Sequence, residues 1–138
     1  MSIVEKDMSI IEHILRYCED ITQAKGRFGD SIENFESDTL YRHSCSMCIL
    51  QIGELSGRLS DDFKRVHDKI PWRNVKSMRN FLAHEYKEMD VEKTWETLTH
   101  DIPALSLYCS NILDDYNTPE QPDLKVDYEQ ANEDELEL

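Results

Sequence analysis

A chain of 138 residues suits one domain around one core. Apolar residues make up 39% of it, charged residues 32%, and the net charge is −14. No stretch approaches the apolar length of a membrane span, which argues against a spanning helix. The acidic start Met1-Ser2-Ile3-Val4-Glu5-Lys6-Asp7 is not a secretory signal, and the expectation is a cytoplasmic protein.

The elements are expected to be helices throughout. Ile10, Ile11, Ile14, Leu15, Cys18 and Ile21 recur at spacings of three and four, the stripe of an amphipathic helix, and Gly26 and Gly29 end it. Asp30 to Phe35 reads as a short second helix. Asp38 is a candidate cap for a third, running to Leu59, with Leu40, Cys48, Ile49, Ile52, Leu55 and Leu59 on its buried face. Gly53 and Gly57 lower helix propensity there, by about 1 kcal/mol each against Ala, and permit close approach by a neighbour. Asp61 to Val66 reads as a short turn. Pro71 suits the first position of a fourth helix, where its missing N–H is not needed; that helix runs to Tyr86. Asp90 is a cap for a fifth, reaching Tyr116, which Pro103 should bend or break.

The fold class expected is all-α, an up-and-down bundle of four or five helices over residues 1–116. Residues 117–138 carry eight carboxylates and one Lys, half of the net charge, with Pro119 and Pro122 and almost no apolar periodicity. They read as a disordered acidic tail. The preceding residues carry 14 Lys and Arg against 21 Asp and Glu. That balance is unusual for a protein that binds nucleic acid, where cations lead affinity. Either the basic residues are clustered or the contacts are local.

Cys18, Cys45, Cys48 and Cys109 fall in apolar helical patterns and read as buried, reduced thiols. Cys45 and Cys48 have the spacing of a metal pair but lack a second pair, and no metal or other cofactor is expected. Trp72 and Trp95 read as core anchors before stacking platforms. Lys64, Arg65, Lys69, Arg73 and Lys76 form the densest basic run, interleaved with Asp61, Asp62 and Asp68. It reads as a solvated face first and an RNA-guiding rim second. His43, beside Arg42, is placed to line a groove.

The residues that carry chemistry are concentrated in Arg79-Asn80-Phe81-Leu82-Ala83-His84-Glu85-Tyr86. Arg offers a planar fork of donors that suits a phosphate. His permits proton transfer near neutrality. At 3.6 residues per turn Asn80 and His84 share a face, and Arg79 and Tyr86 nearly do. Arg79 and His84 stand about 140° apart around the axis, so one regular helix cannot aim both at one point. Either the helix ends or loosens near His84, or two copies face their motifs into a shared groove.

The string Arg-x4-His-x-Tyr, with Asn after the Arg, resembles the signature of the HEPN superfamily and in particular its HepT-like ribonuclease toxins. Ile49 to Leu55 is similar to the family's central helix, Ile70-Pro71-Trp72-Arg73 to its entry to the motif helix, and Met89-Asp90-Val91, Trp95-Glu96 and Asp101-Ile102-Pro103 to the start of its last long helix. The resemblance covers residues 2–116. It implies a homodimer with a composite site and metal-independent cleavage of RNA, DNA being spared for want of the 2′-hydroxyl. His84 would take the proton from that hydroxyl or deliver one to the leaving 5′-oxygen. Arg79 would stabilise the charge on phosphorus. Asn80 would orient His84 or hold a phosphate oxygen. Tyr86 is implied as the site at which a partner nucleotidyltransferase antitoxin adds AMP; read without the resemblance, it is an amphipathic ring at a helix end. The alternative function is a non-catalytic HEPN module that binds nucleotide or presents substrate to a nucleotidyltransferase, which the acidic charge favours slightly.

Overall fold

The computed structural model describes residues 2–85 and 90–118. The expectations for Tyr86 and for the acidic tail beyond Thr118 lie outside the described residues, and so does the side chain of His84.

Helix α1 spans Ile3–Phe28. Ser2 caps it, its Oγ accepting from the Glu5 N–H at 3.1 Å. Ile10, Ile11, Ile14, Cys18 and Ile21 of the expected stripe are buried. The helix ends at Gly29, whose φ of 105° an L side chain rarely adopts. Asn34 braces that turn by donating to the Phe28 carbonyl at 3.1 Å. Gly26 does not end the helix but lies within it.

Helix α2 spans Ile32–Ser37 and presents one fully buried residue, Phe35. Helix α3 spans Thr39–Gly57. Asp38 caps it as expected, accepting from the N–H groups of Leu40 at 2.9 Å and Tyr41 at 3.3 Å. Its buried face is rotated from the expected one. Tyr41, Cys45, Ser46, Ile49, Ile52, Gly53 and Ser56 point inward, while Leu40 is 65% exposed. Small residues at 46, 53 and 56 let neighbouring helices close in, and the Ser56 hydroxyl is satisfied by the Ile52 carbonyl at 2.7 Å.

Residues Asp61–Val66 form a helical element, α4, rather than a turn alone. Its cap, Ser60, is tied to α1: buried Asp7 accepts from the Ser60 N–H at 2.9 Å and from its hydroxyl at 2.6 Å. Helix α5 spans Trp72–Glu85. Pro71 sits one position before it, with its carbonyl accepting from Asn74 and Val75.

Helix α6 spans Val91–Glu96 and is capped by Asp90, which accepts from the Lys93 N–H at 3.0 Å. A π-helical turn at Thr97–Asp101 leads into α7, Ile102–Asn117. The expected fifth helix is therefore helical without a gap from Val91 to Asn117 but widened just before Pro103. A widened turn accommodates the ring and the missing N–H that proline brings to a helix interior.

In the bundle α1 packs against both α3 and α7, and α3 packs against α5; α2 abuts α3 and α6. The four long helices are thus α1, α3, α5 and α7, an all-α bundle with no strand among the described residues. Phe35, Tyr41 and Trp95 close one end, with Phe35 5.1 Å from Tyr41 and 5.5 Å from Trp95 between ring centroids. Trp72 packs on Phe63 at 6.0 Å and donates its indole N–H to the His67 carbonyl at 3.1 Å. Both tryptophans are anchors of the core. Among the described residues no helix is long and apolar enough to cross a membrane.

Candidate nuclease site

The α3–α5 seam places Arg79. Gly53 is buried directly beneath it: a Cβ on Gly53 would lie 2.2 Å from Arg79 Cβ and 2.6 Å from its Cγ. The aliphatic stem of Arg79 therefore occupies the space that any other residue at 53 would fill. Of the two glycines expected to permit close approach, only Gly53 does so; Gly57 has nothing within 4 Å of such an atom.

The guanidinium is held at two nitrogens. One Nη donates to the carboxylate of Glu54, the residue next to Gly53 on α3. The other donates to the side-chain oxygen of Asn80 at 2.8 Å. Arg79 remains 34% exposed at its side chain, and among the described residues three of its five N–H donors have no partner. Asn80 engages Arg79 here, a partner the sequence did not suggest for it.

Helix α5 stays helical through Glu85, so His84 lies on it one turn beyond Asn80. Arg79 and His84 are thus set about 140° apart around one axis, and a loosening of the helix before His84 does not bring them together.

The remaining candidates sort by their contacts. Arg42 is spent on the end of α2, donating to the carbonyls of Phe35 and Glu36 and to Thr39 Oγ1. His43 is exposed beside it. In the basic run Arg65 pairs with buried Asp62, while Lys69, Arg73 and Lys76 are exposed. Cys18, Cys45 and Cys109 are buried, and desolvation pushes their thiols up to about 12; Cys48, half-buried, is pushed up to about 11. Neutral thiols make poor metal ligands, and no group of three or more His, Cys, Asp or Glu able to hold a metal occurs among the described residues.

Two features escaped the sequence. Glu54 lies 25 residues from Arg79 and meets it only through the packing of α3 on α5. A groove of about 420 Å³ also opens beside the motif helix, walled by Ile49, Ile52, Met78, Phe81, Leu105 and Tyr108. Its lining comes from separate elements, so no local pattern announces it. Lys93 stands at its rim with Nζ 5.9 Å from the Phe81 ring centroid.

Residues 9–112 match the family described as ribonuclease HepT-like. A protein of Caldanaerobacter subterraneus subsp. tengcongensis, named as an RNase, is 33% identical over 103 residues, covering 75% of this chain and 90% of that one. The "Probable ribonuclease HepT" of Thermococcus cleftensis is 36% identical over 94 residues, 64% of this chain and 86% of its own. An RNase-named protein of Methanocaldococcus jannaschii is 26% identical over 102 residues, 74% of this chain and 83% of that one. No solved structure is a significant match. The matched span takes in both walls of the seam, Gly53-Glu54 on α3 and the Arg-x4-His-x-Tyr string that α5 begins, and with it the chain belongs to the HepT-like ribonuclease family.

Proposed function

We propose that this protein is a metal-independent endoribonuclease of the toxin–antitoxin kind, acting on cytoplasmic RNA as a homodimer, with Arg79, Asn80 and His84 as its site. The observation that carries the reading is Arg79: a permanent cation fixed at a helix seam with donors to spare, on the same helix as an imidazole.

The chemistry follows from the residue types. The ribose 2′-oxygen attacks the adjacent phosphorus as its proton is taken up. The P–O5′ bond breaks and the 5′-oxygen leaves with a proton. The products are a 2′,3′-cyclic phosphate and a free 5′-hydroxyl. His84 supplies one of the two proton transfers, and the partner copy's motif supplies the other. Arg79 takes the charge that accumulates on the phosphoryl oxygens. The angular separation of Arg79 and His84 on a regular α5 supports pairing of two copies, since a symmetric dimer formed through α5 can bring each Arg to the other chain's His.

Silencing is proposed at Tyr86. Its phenolic oxygen attacks the α-phosphorus of ATP on a nucleotidyltransferase antitoxin, with pyrophosphate leaving. The AMP adduct then sets a phosphate beside the cation that RNA requires. The chain's acidity favours the second reading, a non-catalytic partner of such a transferase, because a net charge of −14 repels RNA.

The test is incubation of pure protein with single-stranded RNA in excess chelator, beside a His84→Ala control of equal helicity. Cleavage by the wild type alone supports the nuclease. Intact RNA in both, with an antitoxin that still binds the chain, supports the non-catalytic module.

A further inference from the structure

We infer that Glu54 is a positioning residue for the phosphate-binding cation, acting through Arg79 without touching RNA. The inference rests on the nuclease reading above for its catalytic consequence, and on geometry alone for the positioning itself.

Arg79 has a long, flexible stem, and a solvent-facing arginine of this kind ordinarily samples many rotamers. Here three contacts remove that freedom. Gly53 leaves a slot into which Cβ and Cγ fit. Glu54 takes one Nη and Asn80 the other. Holding both Nη groups fixes the plane of the guanidinium as well as its place, because the fork is rigid. Among the described residues nothing takes the Nε–H or the second N–H on each Nη, which can meet phosphoryl oxygens.

The pair is badly placed to serve as a stability device. Its side chains are 34% and 41% exposed, a setting in which ion pairs contribute little to folding. Its value lies in preorganisation. A donor already aimed where charge develops needs no reorganisation as the reaction proceeds. The carboxylate also offsets the cation's charge in the resting site. Glu54 therefore weakens ground-state attraction to RNA while it sharpens the geometry met by the transition state, which is the sense in which binding is differential.

This distinguishes support from competition. If Glu54 supports Arg79, removing its charge frees the cation to bind RNA loosely and lowers turnover. If Glu54 instead competes with phosphate for Arg79, removing its charge raises turnover. The variant is Glu54→Gln, which keeps the size and removes the charge. The expected result is a kcat lower by at least about tenfold with KM unchanged or reduced, at an unaltered melting temperature. A kcat equal to or above wild type would overturn the inference.

A second readout needs no cleavage. The ¹⁵N NMR signals of the Arg79 guanidinium, assigned by their loss in Arg79→Lys, should show hindered rotation in the wild type and fast rotation in Glu54→Gln. Identical signals in the two proteins would overturn the positioning. Hindered rotation relieved by the substitution, in a wild type that leaves RNA intact, would sustain the positioning and bring down the nuclease reading instead. Should Glu54→Gln lose its fold, Glu54→Asp, which withdraws the carboxylate by one methylene, is read by the same two measurements.

Discussion

Gly53 and Arg79 share one volume: the side chain that Gly53 lacks is the space in which the Arg79 stem lies, 2.2 Å from where a Cβ would be. The atoms in the way are Cβ and Cγ, near the backbone of α5, and cannot swing aside as the tip of a flexible side chain could. Gly53→Ala should therefore push α5 from α3 or drive Arg79 off its rotamer. A cost of about 1–3 kcal/mol is expected from overpacking of this kind, with loss of RNA cleavage beyond what the lowered stability explains. Gly26→Ala is the control. It lies in α1 with nothing within 4 Å and should stabilise by about 0.5–1 kcal/mol through helix propensity. Chemical denaturation of both variants measures the contrast; equal effects at the two sites would contradict it.

The four thiols should be silent in the folded protein. With Cys18, Cys45 and Cys109 pushed up to about 12 and Cys48 to about 11, almost no thiolate exists at pH 8. Iodoacetamide at that pH should leave the native mass unchanged over minutes, and should add four groups in denaturant. Rapid modification of Cys18, Cys45 or Cys109 in the native state would show that the α1–α3–α7 core opens.

Stability should fall on mild acidification because of His67. Burial lowers its pKa from the ordinary 6.5, and its ring lies 4.5 Å from that of Phe63 and 5.9 Å from that of Tyr108. The unfolded chain's imidazole takes a proton at about pH 6.5. Below that the unfolded state holds more protons than the folded one, so its stability advantage is present above pH 6.5 and shrinks as pH drops toward the folded value. The melting temperature at pH 7.5 and at 5.5 should differ less in His67→Gln than in the wild type. An unchanged difference would assign the effect elsewhere.

The proposed silencing makes a mass prediction. Wild-type protein incubated with its nucleotidyltransferase, ATP and magnesium should gain whole AMP units and lose RNA cleavage, and Tyr86→Phe should do neither. A wild-type chain that stays at its original mass with an active transferase would contradict modification at Tyr86.

The parts legible in the sequence are the parts that local chemistry decides. Asp38 and Asp90 were readable as caps because a carboxylate one turn from a free N–H needs no tertiary contact. The α1 stripe was readable because a long helix on one core repeats its apolar spacing. At Leu40 the apolar pattern of α3 misleads, because the helix buries small and polar residues, Ser46, Gly53 and Ser56, where close packing rather than apolarity sets the inward face. Of the proposed site, Arg79, Asn80 and His84 are legible as candidates because they lie together on one helix. Glu54 is not, since its contact with Arg79 exists only once α3 meets α5. Arg42, the basic neighbour of His43, donates to the carbonyls of Phe35 and Glu36, a commitment no spacing reveals.

In the proposed reaction Arg79 and His84 promote attack by the ribose 2′-oxygen on its own phosphodiester. The most direct measurement uses an RNA oligonucleotide cleaved at one mapped position and its twin with a single 2′-deoxyribose 5′ to that bond, each in excess chelator. The expected result is a 2′,3′-cyclic phosphate from the first with the wild type, none with Arg79→Ala or His84→Ala, and no cleavage of the substituted twin at that position. Cleavage of the 2′-deoxy bond, or products ending in a 5′-phosphate, would contradict it.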